Sequence, residues 1–242
     1  MRDYAKELEN RIGFIREQLK ASGCSGIVFG NSGGKDSALV GILCKKACND
    51  TVGIIMPCDS RVNFGSDMED GNAVAEKFGI ENRIIDLTPV KAAEIEQLKA
   101  VTKLNNAALI NIAPRLRMTT LYAIGASEGR LVAGTGNKSE RYMGYFTKWG
   151  DGAFDFNPIG DLTVGEVYEF LTYLGAPESI IKKAPSAGLF EGQTDEQEMG
   201  VTYRAIDEYI TSGTASEHDK KIIDRYHSNS EHKRRLAVIY GE

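Results

Sequence analysis

Hydrophobic positions in the first half of the chain alternate between two kinds of spacing. Apolar residues recur at helical spacing from Leu8 to Leu19, and the short apolar run Gly26-Ile27-Val28-Phe29 is typical of a strand buried on both faces. The same alternation continues, with helices expected from about Ser37 to Cys48 and from about Ser66 to Phe78, and strands expected from Thr51 to Met56 and from Arg83 to Leu87. This order predicts a helix followed by a βαβαβ arrangement.

Local signals extend this pattern toward the middle of the chain. Ser66-Asp67-Met68-Glu69 is typical of a capping box, and Thr88 followed by Pro89 marks a second helix start. Helical spacing then continues to about Glu128, and we expect two helices with a break near Pro114, because proline interrupts a helix. Arg130-Leu131-Val132-Ala133 returns to the strand pattern, so the sheet gains a fourth parallel member.

The second half of the chain is less regular. The stretch from Gly134 to Gly160 is rich in glycine, aspartate and aromatic residues, and we expect a long functional loop without a regular element. Capping boxes at Thr163 to Glu166 and at Thr194 to Gln197 predict two later helices, and a polar helix is expected from about Lys220 to Leu236. The predicted fold is α/β, a doubly wound, mainly parallel sheet flanked by helices, with a helical C-terminal part.

Length and composition narrow the class of protein. The 242 residues suit one sizeable domain, and we expect residues 1–242 to form a single unit. The formal net charge of -5 offers no broad attraction to nucleic acids or acidic membranes. No apolar run approaches the ~18 residues of a membrane span, and the polar start lacks the apolar region of a signal peptide. We therefore expect a cytoplasmic protein that binds small molecules, with no nucleic-acid or membrane partner.

The cysteines and histidines show no metal-binding pattern. None of the 4 cysteines forms a C-x-x-C pair, and the spacing of Cys44 and Cys48 on one predicted helix favours core thiols. The three histidines, His218, His227 and His232, lie in a polar stretch without metal-ligand spacing. We expect them at the surface.

The first segment that carries chemistry follows the first predicted strand. Ser32-Gly33-Gly34-Lys35-Asp36-Ser37, the first loop, places two glycines before a helix start, where N–H groups and the helix dipole attract phosphate. It is not a Walker A loop, because three residues separate Gly30 from Gly34 and Asp36 stands where Ser or Thr would hold magnesium. The alternative is a tight turn in which Asp36 only caps the helix.

A second such segment, Gly134-Thr135-Gly136-Asn137-Lys138-Ser139-Glu140-Arg141, follows the fourth predicted strand and is called the second loop. It is not a dinucleotide fingerprint, since Ser139 occupies the third glycine position. Because ligands bind beyond the carboxyl ends of parallel strands, the two loops can share one crevice. Asp36 and Glu140 can then hold magnesium together with water and phosphate oxygens, although Glu140 taken alone is more often a surface carboxylate.

These segments resemble known families. The first loop is similar to the Ser-Gly-Gly-x-Asp-Ser signature of the PP-loop ATP pyrophosphatases, which implies an adenine nucleotide α-hydrolase-like fold and cleavage of ATP to AMP and pyrophosphate. Together with the two loops, further segments resemble ammonia-dependent NAD synthetases, in order and over nearly the whole chain: Arg115 to Met118, Gly144 to Gly152, Ala184 to Leu189, and Gln193 to Glu196. The terminal Glu231 to Arg235 resembles that family's basic tail, and a solvated helix end explains it equally well.

The resemblance implies a specific reaction. Ammonia would amidate nicotinic acid adenine dinucleotide (deamido-NAD) to NAD through an adenylated nicotinate, with ATP as co-substrate, Mg²⁺ as cofactor, and a homodimer as the assembly. The residues implied in ATP binding are Ser32, Gly33, Gly34, Lys35, Asp36, Ser37, Arg115, Thr135 and Ser186. Those implied in dinucleotide binding are Tyr122, Lys148, Asp151 and Asp155; Asp36, Glu140 and Lys148 are the implied catalytic residues, and Asp36 and Glu140 the implied metal ligands.

Structural roles compete with several of these assignments. Tyr122 is equally suited to a core position, Arg115 to the surface, and Asp151 and Asp155 to turns. Related enzymes often place a phosphate-reaching lysine where this chain has Val164. Either the alignment with those enzymes slips locally, or another cation takes the place of that lysine, and Lys35 is the best candidate. The alternative for Lys35 is that its side chain points to solvent.

Other functions also stay open. A tRNA-modifying or sulfur-transfer PP-loop enzyme would favour basic patches or paired cysteines, which the sequence lacks, and a non-catalytic ATP-binding regulatory module would bind without turnover. A glutamine-dependent relative would need an additional amidotransferase domain, for which this length leaves no room. We therefore expect free ammonia to be the nitrogen source.

Overall fold

The computed structural model describes residues 2–59, 64–183 and 194–241. The strands are β1 (Gly26–Gly30), β2 (Thr51–Ile55), β3 (Glu81–Ile84) and β4 (Arg130–Ala133). The helices of the first half are α1 (Tyr4–Ser22), α2 (Lys35–Ala47), α3 (Ser66–Phe78), α4 (Thr88–Lys99) and α5 (Asn106–Glu128). Those of the second half are α6 (Lys138–Met143), α7 (Val164–Tyr173), α8 (Glu178–Ile181), α9 (Asp195–Met199), α10 (Tyr203–Ser212), α11 (Glu217–Asn229) and α12 (Glu231–Arg234).

The strands form one parallel sheet in the order β3-β2-β1-β4. Side chains of β1 alternate between its faces, so Ile27 and Phe29 pack with α1, α2 and α7, whereas Val28 packs with Val132 and with Ala113 of α5. Helices therefore cover both faces, and the predicted doubly wound, parallel α/β fold is confirmed. The carboxyl ends of β1 and β4 lie side by side, since Phe29 pairs with Ala133.

A third apolar cluster holds the C-terminal helices together. Met143 of α6 packs with Val164, Tyr203 and Ile223, which come from α7, α10 and α11. The predicted helical C-terminal part is confirmed, but its last helix is divided. Ser230 separates α11 from α12, and its hydroxyl donates to the Met143 carbonyl, anchoring that break to α6.

Two predicted boundaries and one predicted capping box were wrong. β3 spans Glu81–Ile84 rather than Arg83 to Leu87, because pairing with β2 fixes its register. Pro114 lies inside a continuous α5, and the break between helices falls at residues 100–105, where the Asn105 side chain caps the new helix. The capping box at Ser66 does not form, because Ser66 is the first residue of α3 and the N-cap is Gly65, which has no side chain.

The stretch from 134 to 160 also differs from the expected loop, since it contains α6. This helix begins at a capping box in which the Asn137 side chain accepts from the Glu140 N–H and Glu140 accepts from the Asn137 N–H. Glycine and aromatic content hid this short helix, and the Asn-x-x-Glu spacing was its only local signal. The predicted capping boxes at Thr163 and Thr194 are confirmed.

The structure bears on two expectations drawn from composition, one on the cysteines and one on membrane-spanning helices. Cys44 is buried, as expected of a core thiol, whereas Cys48 is half-buried. Among the helices that the structure describes, none combines the length and apolar character needed to cross a membrane.

Candidate active site

A cavity of about 980 Å³ opens at the carboxyl ends of β1, β2 and β4. One part of its wall, called the sheet half, consists of the first loop and residues 133–140 at the end of β4. The other part, called the tail half, is formed by residues 143–153 and by the helix end from Arg225 to Lys233. One continuous cavity therefore joins the two loops to a more distant polar wall.

Hydroxyl groups brace the first loop. The Ser32 and Ser37 hydroxyls lie 3.1 Å apart, the Gly34 N–H donates to Ser32 Oγ at 3.3 Å, and Ser37 Oγ donates to the Gly34 carbonyl at 3.0 Å. Gly34 is the N-cap of α2 and supplies no side chain to its first turn. The N-terminal N–H groups and the helix dipole are thus suited to an anion such as phosphate.

Gly33 fixes the position of the first loop beneath α3. Its φ is +70°, in the left-handed region, and a Cβ at this position would lie 1.9 Å from the Asp67 carbonyl oxygen. Glycine therefore satisfies both a backbone conformation and a close approach of two backbones. Lys183 secures the same contact, since its Nζ donates to Asp67, Asp70 and the Gly33 carbonyl.

The two loops meet through Asn137. Its Nδ2 donates to Asp36 Oδ1 at 3.0 Å, while its backbone N–H donates to Glu140 Oε2 at 3.1 Å. The structure thus brings Asp36 and Glu140 to the same wall of the cavity, as expected of loops that follow neighbouring parallel strands. Asn137 was not among the predicted site residues, and the capping-box spacing with Glu140 was the signal that marked it.

A buried lysine lies beside both carboxylates. Lys35 Nζ is 2.7 Å from Asp36 Oδ2 and 3.9 Å from Glu140 Oε1, with only 7% of the residue exposed. Burial alone would lower the pKa of Lys35, but the two carboxylates raise it above its ordinary value. Lys35 therefore carries a positive charge, and the alternative that it points to solvent is wrong.

Glu140 is the most perturbed carboxyl group of the sheet half. Burial raises its pKa, the nearby Asp36 carboxylate raises it further, and Lys35 opposes both effects. A divalent cation would offset both the burial of the Glu140 charge and its repulsion from Asp36, by adding positive charge where the two carboxylates converge. Within the described residues there is no cluster of three acidic, histidine or cysteine ligands, but Mg²⁺ commonly takes one or two carboxylates plus water and substrate phosphates. The donor set fits magnesium.

The tail half is joined by contacts between distant segments. Lys233 Nζ donates to the Gly144 and Phe146 carbonyls at 2.9 and 2.8 Å, and burial lowers its pKa. Lys148 Nζ donates to the His232 carbonyl at 2.7 Å. The Asp151 carboxylate accepts from the Thr147 N–H at 2.9 Å. Lys233 and Asp151 thus line the tail half, whereas the predicted Lys148 lies beside it and is not a lining residue.

Several predicted residues lie away from this cavity in the single chain. Arg115 is exposed, with its guanidinium 3.4 Å from the Lys148 carbonyl oxygen. Tyr122 donates to Asp155 Oδ1 at 3.2 Å, and the other Asp155 oxygen accepts from the Val132 N–H at 2.7 Å. These residues form a neighbouring surface rather than the cavity wall. The predicted Ser186 lies outside the described residues.

Arg117 replaces Arg115 at the cavity wall. Its Nε donates to the Met56 carbonyl at 3.0 Å, and burial lowers its pKa. The sequence pointed to this segment but to the wrong arginine. Residues two positions apart lie on different sides of a helix, so only one of the two arginines can face the cavity. Lys233 was also missed as a site residue, because no local pattern links the chain end to residues 144–146.

Comparison with known proteins gives a consistent family. Residues 7–239 match the NAD synthase family. An NH3-dependent NAD(+) synthetase of Carboxydothermus hydrogenoformans is 46% identical over 240 residues, which cover 98% of each chain. The structure is similar to an NMN synthetase from Francisella tularensis, at 36% identity, 100% coverage of both chains and a TM-score of 0.94. It is also similar to an NH3-dependent NAD synthetase from Campylobacter jejuni, at 31% identity, 99% coverage of both and a TM-score of 0.80. The chain belongs to the NAD synthase family.

Proposed function

We propose that this protein amidates the nicotinate carboxylate of deamido-NAD to give NAD, using ATP and free ammonia. The observation that carries this proposal is the convergence of Asp36 and Glu140, from loops after neighbouring strands, beside an anion-suited helix start. The sheet half would hold ATP, and the tail half would hold the dinucleotide. Family membership gives this arrangement its specific reaction.

The reaction has two balanced steps. A nicotinate carboxylate oxygen attacks the α-phosphorus of ATP, the bond to the bridging oxygen breaks, and pyrophosphate leaves. The ammonia lone pair then attacks the activated carbonyl carbon, AMP leaves with the C–O bonding electrons, and the surplus proton passes to solvent. No side-chain nucleophile is needed, so the protein acts mainly by holding the reactants in line and stabilising charge.

The residues of the sheet half have distinct tasks in this proposal. The first turn of α2 donates backbone N–H groups to phosphate oxygens, with Ser32 and Ser37 bracing the loop. Asn137 orients the Asp36 carboxylate. A magnesium ion held by Asp36 and Glu140 would supply positive charge to the phosphates as pyrophosphate leaves. Asp151 in the tail half and Lys148 beside it would orient the dinucleotide.

A product assay tests the proposal. The protein is incubated with ATP, Mg²⁺, deamido-NAD and either ammonium or glutamine, after removal of contaminating glutaminase. We expect NAD, AMP and pyrophosphate in equal amounts, with ammonium as the effective donor and a rate that rises with pH as ammonium loses its proton. ATP binding without pyrophosphate release would instead support a regulatory module.

A second candidate product is nicotinamide mononucleotide (NMN). The same chemistry would form it from nicotinate mononucleotide, and the TM-score of 0.94 with an NMN synthetase favours testing it. The two substrates share the reacting nicotinate and differ by the adenylate group. Equal concentrations of both in one reaction, with NAD and NMN separated by chromatography, give the ratio of their kcat/KM values directly. A ratio in favour of NMN would replace the first assignment.

The homodimer also belongs to this proposal. No residue of α4 is buried, and α5 buries only Ile112, Ala113 and Gly125, although Thr119, Ala123 and Ala126 form an exposed small-residue face on α5. A second copy covering this face would bury apolar surface. Light scattering should give twice the monomer mass, and Ala123→Arg should reduce it to that of the monomer. The cytoplasmic location and the single-domain organisation stay predictions.

A further inference from the structure

One cation lies between the proposed metal ligands. The Lys35 ammonium approaches Asp36 to 2.7 Å and Glu140 to 3.9 Å. Lys35 and Asp36 are consecutive residues at the start of α2, and the Lys35 ammonium contacts the Asp36 carboxylate directly. A charged group held in this way, almost removed from solvent, acts on its neighbours with little screening.

The surroundings confine the ammonium to this position. Lys35 Nζ lies 5.7 Å from the centroid of the Tyr203 ring, whose hydroxyl donates to the buried Asp195 at 3.0 Å. Tyr203 packs with Val164 in the C-terminal cluster. Because an aromatic face attracts a cation and leaves it no solvent to enter on that side, the ammonium stays with the carboxylates.

We propose that Lys35 is a positioning residue that serves as the resident counter-ion of Asp36 and Glu140, opposing a free divalent cation so that the metal binds mainly together with ATP. This inference rests on the proposed function, in which the two carboxylates hold magnesium. Once both carboxylates are ionised, as metal binding requires, the nucleotide-free site offers an incoming cation a net charge of one negative unit rather than two, and a fixed positive charge close by. ATP adds several negative charges and offsets the ammonium, so ATP and metal favour each other's binding.

Manganese binding to the nucleotide-free protein tests the inference. Mn²⁺ is titrated into the full chain, and the free ion is measured by electron paramagnetic resonance for the parent, Lys35→Met and Lys45→Met. Lys45 is a matched control, because it lies on the same helix and its ammonium donates to the Asn49 carbonyl, away from the site. We expect Lys35→Met to bind Mn²⁺ about tenfold more tightly or better, and Lys45→Met to bind as the parent does. Equal or weaker binding by Lys35→Met would overturn the proposal.

The coupling to nucleotide gives a second readout that a merely structural lysine would not change. The titration is repeated with an ATP analogue that carries a methylene group between its α and β phosphates. The factor by which the analogue tightens Mn²⁺ binding should be smaller in Lys35→Met than in the parent, since the opposing charge is already gone. An equal factor in the two proteins would contradict the coupling.

Two further variants separate this inference from the proposed function. Asp36→Asn and Glu140→Gln should each weaken Mn²⁺ binding; if neither does, the metal assignment itself fails. If both weaken it while Lys35→Met binds as the parent does, only the role of Lys35 fails. Circular dichroism and thermal unfolding check each variant, and Lys35→Gln, which keeps a polar end, replaces Lys35→Met if that protein does not unfold cooperatively.

Discussion

The two halves of the cavity are built in different ways. In the sheet half, the functional side chains come from two loops that follow neighbouring strands, and these loops are joined by Asn137 and by the approach of Lys35 to Glu140. In the tail half, Lys233 reaches carbonyls 89 and 87 positions earlier in the chain. Local structure therefore positions the proposed phosphate chemistry, whereas the polar wall proposed for the dinucleotide depends on folding of the whole chain.

The largest effect is expected at the carboxylates of the sheet half. Asp36→Asn and Glu140→Gln should each slow pyrophosphate release about 100-fold or more, because each removes one charge on which metal binding depends. The fold should persist, since neither side chain forms part of an apolar core cluster. Glu178→Gln is the control, because the Glu178 side chain is 80% exposed and pairs with Lys182, away from the cavity. A Glu140→Gln enzyme with the parent's rate and magnesium dependence would refute the metal assignment.

The next effect concerns ATP and the buried lysine. Lys35→Gln should weaken ATP use by about 1.5–3 kcal/mol, the usual range for a hydrogen bond to a charged group. Because Lys35 lies over the Tyr203 ring and Val164 belongs to the same apolar cluster as Tyr203, Val164→Lys is the informative second change. The ATP dependence of NAD formation is compared for the parent, Lys35→Gln and the double variant. Rescue would place both positions at one phosphate, and an unchanged Lys35→Gln enzyme would place the cation elsewhere.

A smaller and more selective effect is expected in the tail half. Lys233→Met removes two hydrogen bonds that hold residues 144–146, and it should raise the KM for deamido-NAD about tenfold while changing the KM for ATP little. The control is Lys220→Met, at an exposed position of α11. Steady-state kinetics with each substrate varied in turn measure both constants. Equal increases for the two substrates would mean that the halves are not separate in function.

The smallest effect is expected outside the cavity, at Tyr122. Tyr122→Phe loses the hydrogen bond to Asp155 and should cost about 0.5–1.5 kcal/mol of folding free energy. If the dinucleotide also touches this surface, its KM should rise a few-fold with no change for ATP. Urea unfolding and the same kinetics distinguish the two roles, because a loss of stability with unchanged kinetics assigns Tyr122 to structure alone.

Sequence reasoning worked where a pattern is local. The apolar runs predicted the parallel sheet, and the position of each loop after a neighbouring strand predicted that Asp36 and Glu140 would lie close together. Helix α6 was missed because it has only 6 residues and lies among glycines and aromatic residues. The continuous α5 was missed because the proline rule describes a local cost, which tertiary packing overrides.

The rest of the site depends on contacts that no spacing encodes. Whether Arg115 or Arg117 faces the cavity depends on the rotation of α5 against the sheet. Residues two positions apart lie on nearly opposite sides of a helix, so only one of them can face it. The Lys35 ammonium lies over the ring of Tyr203 in α10, a contact between segments that are far apart in the chain. The roles of these residues stay predictions until the variants are measured.

The contact between Gly33 and α3 has a consequence for how this chain tolerates change over evolution. Any side chain at position 33 meets the Asp67 backbone, which cannot rotate away as a side chain can. At Gly136, in the second loop, the nearest atom to an added Cβ is Arg141 Cγ, 3.9 Å away, which is an ordinary van der Waals contact. In a library of single substitutions, alanine should therefore survive selection at position 136 and be lost at position 33. The geometry therefore requires glycine at position 33, whereas position 136 can vary during evolution.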